Sequence, residues 1–143
     1  MRSLPLWLRA LIHATFGALW IAGAWVFVLK HFFQTASEFG PAPHPWQPKI
    51  LMIHGMIAVL VTYLFGWISS RHIADTWRRG VDRTSGLWLI GLIAPLIVTG
   101  FASFFLVDDS LRSWNGSIHE ILGLALIPPW IVHLMWGRGR RRS

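Results

Sequence analysis

Four apolar runs, each about twenty residues long, alternate with short segments rich in proline, glycine and charge. Runs of that length suit helices crossing a hydrocarbon layer about 30 Å thick. They cover about residues 6–30, 48–70, 86–107 and 117–137. Residues 39–48 contain Pro41, Pro43, Pro45 and Pro48 and cannot form regular helix, although Pro48 suits the first turn of the second run. The segment 71–85 is basic, with a brief helical continuation expected through Ile73–Arg78. Asp108-Asp109-Ser110 end the third run. Asn115-Gly116-Ser117 then turn into the fourth, with Ser117 and Glu120 in capping-box spacing. Short connections between antiparallel spans predict an all-α, up-down four-helix membrane bundle forming one domain over residues 1–143.

Composition sharpens this picture. Only 13% of the residues are charged and the mean hydropathy is +0.50, too apolar for an ordinary soluble domain. Several of the ten tryptophans (Trp7, Trp46, Trp67, Trp88, Trp114, Trp136) fall near the expected membrane surfaces, where an amphipathic indole is stable. The net charge of +7 is not a nucleic-acid signature, because of where it lies. Arg2 and Arg9 flank the start of the first run. Arg71, Arg78, Arg79 and Arg83 occupy the second connection, and Arg138, Arg140, Arg141 and Arg142 the tail. The other two connections hold Lys30, Lys49 and Arg112. The positive-inside rule therefore places both termini on the cytoplasmic side of a bacterial inner membrane, with basic residues touching lipid head groups. The first apolar run follows Arg2 and Arg9 and contains Ala22-Gly23-Ala24, which mimics a secretion signal. It exceeds the roughly 7–15-residue apolar core of such signals, so an uncleaved helix is expected.

The candidate chemistry lies in the histidines. His119 and His133 are 14 positions apart in the last run. On a helix this is about 21 Å of rise and about 1400° of rotation, which puts both on nearly one face. With the expected topology His13 is level with His133 near the inner boundary, and His54 with His119 near the outer one. Ionisable residues within a membrane are costly and mark function by default. Two level pairs of imidazoles suit two bis-histidine haems stacked across the bilayer, a ligation that favours electron transfer over oxygen binding. The chain has no cysteine, which excludes thioether-linked haem and iron–sulfur clusters and leaves haem b. Gly55 beside His54, and Gly17 and Gly123 one turn after His13 and His119, would give a flat macrocycle room. Pro128-Pro129 between the last two ligands should kink the fourth helix. His31 and His44 belong to the outer loop and are expected at the solvated surface. His72 shares a face with His54 five turns on and is the alternative inner ligand, or a partner for a propionate or quinone.

These segments resemble the prokaryotic cytochrome b561 family of four-helix dihaem membrane cytochromes. The resemblance rests on Leu11-Ile12-His13, Met52-Ile53-His54-Gly55, His119-Glu120-Ile121-Leu122 and Val132-His133. The Ser-Trp upstream of His119, and Ala94-Pro95 followed by Gly100, are also similar, and about residues 8–137 are covered. The family takes one ligand from helix 1, one from helix 2 and two from helix 4. The resemblance implies electron exchange with quinone, one family activity being oxidation of superoxide with quinone as acceptor. Related b-type subunits anchor periplasmic or cytoplasmic dehydrogenases in the respiratory chain.

The resulting expectation is a transmembrane electron wire within a larger respiratory complex, linking the quinone pool to another subunit or a periplasmic redox protein. Arg9, Arg71 and His72 are candidates for neutralising inner haem propionates, since a guanidinium matches a carboxylate in two-point geometry. His72, Asp75 and Glu120 are candidates for carrying protons to quinone. Two rivals stand beside it: a stand-alone superoxide:quinone oxidoreductase, and a haem-free membrane anchor or ion carrier whose histidines bind protons or metal.

Overall fold

Pro5 has no N–H to leave unsatisfied and opens the first helix by accepting from the Leu8 and Arg9 amides, at 3.1 and 3.2 Å. The computed structural model describes residues 5–38, 40–70 and 83–139. They are mostly helical. Helix α1 runs from Leu6 to Phe32, about 40 Å at 1.5 Å per residue. Lys30 and His31 lie in its last turn, where positive charge complements the helix dipole, and the Gln34 side-chain amide donates to Lys30 O at 2.9 Å. Within α1 the Thr15 hydroxyl bonds back to Leu11 O and Ile12 O, which hides its polarity.

The proline-rich connection is not featureless, as the sequence left it. Strands β1 (Thr35–Ser37) and β2 (Gly40–Ala42) form an antiparallel hairpin in which Thr35 faces Ala42 and Ser37 faces Gly40. Gly40 takes φ +105°, a conformation that costs a residue without a Cβ little. Pro41 is tolerated because a two-stranded sheet consists of edges, where a missing donor is harmless. His44 then starts helix α2 (Gln47–Ile68): its Nδ1 accepts from the Trp46 amide and its carbonyl from Gln47. Pro48 falls in the first turn, as its chemistry favours.

The chain divides into two units, Met1–Ile68 and Ser69–Ser143. In the first, α1 packs along α2, and Ile12, Leu29, Val61 and Leu64 are its buried apolar side chains. In the second, helix α3 (Arg83–Ala102) packs against α4 (Asp109–Ala125) and α5 (Ile127–Gly139). Among the described residues three helical stretches are long and apolar enough to cross a membrane: Leu6–Phe32, Gln47–Ile68 and the near-continuous Asp109–Met135. Gly86–Ala102 is a shorter apolar helix. Exposed Trp7, Trp46, Trp88 and Trp114 lie at or near helix ends, where the sequence placed its interfacial indoles. The segment Ile73–Arg78 lies outside the described residues.

The second unit departs from expectation at its turn. Helix α3 stops at Ala102 rather than near 107, and α4 begins at Asp109 rather than near 117. Asp108 is the N-cap. Its backbone is extended and its carboxylate accepts from the Leu111 amide at 2.9 Å and the Ser110 hydroxyl at 2.8 Å. Asn115 and Gly116 are helical, since the Asn115 amide donates to Thr99 O and Ser103 Oγ of the neighbouring turn of chain instead of closing a local turn. Ser117 lies inside the helix, donating to Ser113 O, so the Ser117–Glu120 capping box does not form. The kink expected from Pro128-Pro129 falls at Leu126, which separates α4 from α5 but keeps right-handed helical dihedrals. Neither proline can donate to the preceding turn, so the ladder is interrupted there.

The cap gives a pH-dependent prediction. The Leu111 amide and then the Ser110 hydroxyl hold the Asp108 carboxyl below its ordinary value of 3.8. A depressed carboxyl stabilises the fold above its unfolded pKa, and that contribution fades as pH falls through the lower folded value. Amide protection at Leu111 should therefore persist through mildly acid solution and drop below the ordinary carboxylate range. Asp108→Ala should lose the protection at every pH, and Asp108→Asn should keep part of it without the pH dependence. Hydrogen exchange resolved at Leu111 measures all three.

Candidate functional site

Helix α2 carries His54 two turns from its start, half-buried against α1. Its Nδ1 donates to the Leu19 carbonyl at 3.1 Å. A carbonyl can only accept, so the proton is on Nδ1 and the ring lone pair on Nε2. The ring rests on Gly23, one turn beyond Leu19: a Cβ there would lie 2.9 Å from His54 Cε1 and 3.2 Å from Nδ1. Glycine is thus required by a close approach. Gly23 lies twelve residues before β1 and His54 twelve after β2, so the hairpin sets their level.

His119 on α4 has a matching seat on α3. Its Nδ1 is 2.9 Å from Thr99 Oγ1, and a Cβ on Gly100 would lie 3.3 Å from His119 Cε1. The Thr99 hydroxyl directs its own proton at Pro95 O, 2.7 Å away, with Leu96 O at 3.2 Å. It therefore accepts from His119, which again leaves the lone pair on Nε2. A metal-ligating histidine has this arrangement: one ring nitrogen donates to a fixed acceptor, which sets tautomer and plane for the other.

The remaining residues are placed as follows. His13 is an exposed residue of α1, ten positions before Gly23 and so about 15 Å along the axis from the level of His54. His133 is half-buried in α5, beyond the break at Leu126. Each unit thus carries two of the four expected ligands, at two distinct levels. Arg9 stands one turn before His13, and its Nε is buried without a hydrogen-bond partner among the described residues. Arg71, His72 and Asp75 lie outside the described residues. Gly17 is a half-buried residue of α1. A Cβ on Gly55 would meet no protein atom within 4 Å, and one on Gly123 would make ordinary contact with Leu96 Cδ2 at 3.9 Å. His31 is exposed beside Phe27, ring centroids 4.5 Å apart, and His44 is occupied in starting α2. Glu120 is half-buried, and with the helix starting eleven residues earlier it is no cap.

Sequence reasoning missed Gly23, Gly100, Leu19 and Thr99 as supports of the two rings. For Gly23 the signal was positional, since it lies as far before the hairpin as His54 lies after it; Thr99 and Gly100 have no such symmetry with His119. Among the described residues no three His, Cys, Asp or Glu side chains converge on one point. Haem ligation draws on two. No protein-family model, curated protein or solved structure matches this chain.

The glycine seat is open to test. Gly23→Ala should push the His54 ring off α1, at a cost of about 1–3 kcal/mol from overpacking. Ring-nitrogen NMR shifts of His54 should move and the thermal midpoint should fall. Gly66→Ala, where an added Cβ meets nothing within 4 Å, should leave both unchanged.

Proposed function

We propose that this chain is a dihaem b-type membrane cytochrome, an up-down four-helix bundle with both termini cytoplasmic, that carries electrons across a bacterial inner membrane. The observation that carries the proposal is the pair of seated imidazoles, each with Nδ1 donating to a neighbouring helix and Nε2 holding the lone pair. An axial ligand has that arrangement, with one nitrogen fixed by a neighbour and the other a donor of electrons. His54 and His119 would hold the outer haem, His13 and His133 the inner one. The absence of cysteine makes both haem b. Arg9 supports the inner position: its buried Nε needs an acceptor, and a propionate carboxylate one turn from His13 would supply it.

When bound, the haems supply one-electron chemistry between ferric and ferrous iron. The protein residues do the rest. Leu19 O and Thr99 Oγ1 keep His54 and His119 in one tautomer and one plane, ready to hold a haem without rearranging. Two histidines per haem would favour electron transfer over oxygen binding. The apolar helices exclude water and hold the surroundings at low dielectric, where nearby charges act strongly on the potential. Quinone is the proposed membrane partner, and another subunit or a periplasmic redox protein the partner at the far side.

A reduced-minus-oxidised spectrum of the purified protein, scaled to protein content, should give about two haems per chain with bis-histidine bands. His54→Ala or His119→Ala should lower the ratio to about one, as should His13→Ala or His133→Ala, each pair removing the same spectral component. A colourless protein reconstituted with haemin to no effect would end the reading.

A further inference from the structure

Helix α3 carries no histidine, yet among the described residues it holds the densest polar cluster of the second unit. Thr99 is gripped at two points by residues one turn apart on α4. His119 Nδ1 donates to its side-chain hydroxyl at 2.9 Å, and Asn115 Nδ2 donates to its backbone carbonyl at 2.8 Å. Ser103 closes the group, donating to Thr99 O at 3.0 Å and accepting from Asn115 at 2.8 Å. The hydroxyl proton is committed to Pro95 O, and the ring lies so close to Gly100 that a Cβ there would be 3.3 Å from Cε1. Ring plane and proton position of His119 are therefore both set by Thr99-Gly100.

We infer that Thr99 is a positioning residue that sets the reduction potential of the haem bound by His119. The inference rests on the dihaem reading of the preceding subsection. An acceptor at Nδ1–H raises the electron density of the ring and strengthens its donation through Nε2. A stronger donor stabilises ferric over ferrous iron and lowers the potential. The seat of His54 works by the same chemistry but through a backbone carbonyl, which no side-chain substitution removes. The potential of the outer haem is thus adjustable by sequence at Thr99 and fixed at Leu19.

Potentiometric titration of the purified holoprotein, followed through the haem bands, tests this. Thr99→Val keeps the shape and removes the acceptor. It should raise the potential of the component that His119→Ala abolishes, by about tenfold in the oxidised-to-reduced ratio, or about 59 mV for one electron. Thr99→Ser restores the hydroxyl and should return the potential to that of the parent. Asn115→Ala loosens the second grip and should shift the same component in the same direction by less. Loss of that haem in Thr99→Val with retention in Thr99→Ser also supports the inference. An unchanged potential in a Thr99→Val protein holding both haems overturns it, as does equal loss in both Thr99 variants. Should Thr99→Val fail to accumulate, Asn115→Ala decides alone: an upward shift upholds the role of Thr99 and an unmoved potential refutes it. Failure of the dihaem reading is distinguishable, because the parent protein would then bind no haem.

Discussion

A polar hydrogen buried in apolar surroundings must find an acceptor inside the protein, because leaving it unpaired costs several kcal/mol. Both histidine seats obey this constraint, and between them they fix how each helical pair is registered. Sliding α2 along α1 by one residue would move His54 about 1.5 Å and turn it about 100°. The bond to Leu19 O would break and the ring would leave the one glycine that admits it. The same slide of α4 on α3 would separate His119 from Thr99 and Asn115 from both its acceptors. Apolar contacts between such helices are weakly directional. The imidazoles and their partners supply the direction.

The elements were legible where their cause was local. The length of the apolar runs placed α1 and α2 to within two residues, and backbone chemistry read Pro48 and the break from regular helix at 39–48, though not the hairpin. The α3–α4 turn was misplaced because two capping signals compete there, Asp108 and Ser117. The winner is decided by Asn115, whose side chain reaches across to Thr99 O and Ser103 Oγ instead of bonding its own turn. No local pattern contains that choice. The histidines were legible as residues out of place in apolar runs. Their supports were not, since Gly23 and Gly100 resemble any other membrane glycine until the neighbouring helix is in register. Gly55 and Gly123, conspicuous by adjacency or helical spacing to a histidine, are required by no protein neighbour.

The early start of α4 has a structural consequence. Ten residues precede His119 in α4 and three follow Thr99 in α3. Since His119 and Thr99 are level, about seven residues of α4, or about 10 Å, extend beyond the end of α3. This extension is built differently from the rest. Ser110, Ser113 and Ser117 share a face with Trp114 along a shallow groove, while Phe104, Phe105 and Val107 of the adjoining turn are exposed. Serines beside an indole, next to a short apolar turn, make a surface that is part wet and part greasy. The Asp109–Arg112 ion pair on the same extension is exposed, whereas His119 further along α4 is half-buried.

Arg9 keeps a buried Nε without an acceptor among the described residues. A guanidinium cannot shed its proton, so a buried Nε without an acceptor is a standing cost that the described residues do not offset. Other polar side chains near the proposed ligands are satisfied by neighbours: Thr15 by Leu11 and Ile12, Thr99 by Pro95, Asn115 by Thr99. Arg9 is the exception, and it sits one turn from a histidine at the end of the chain where positive charge collects. A carboxylate brought by a ligand would remove the deficit with a two-point contact and would itself need such a partner to enter a low-dielectric site. Haem brings two. A ligand that carries carboxylates would match Arg9 in a way that a bare metal ion would not.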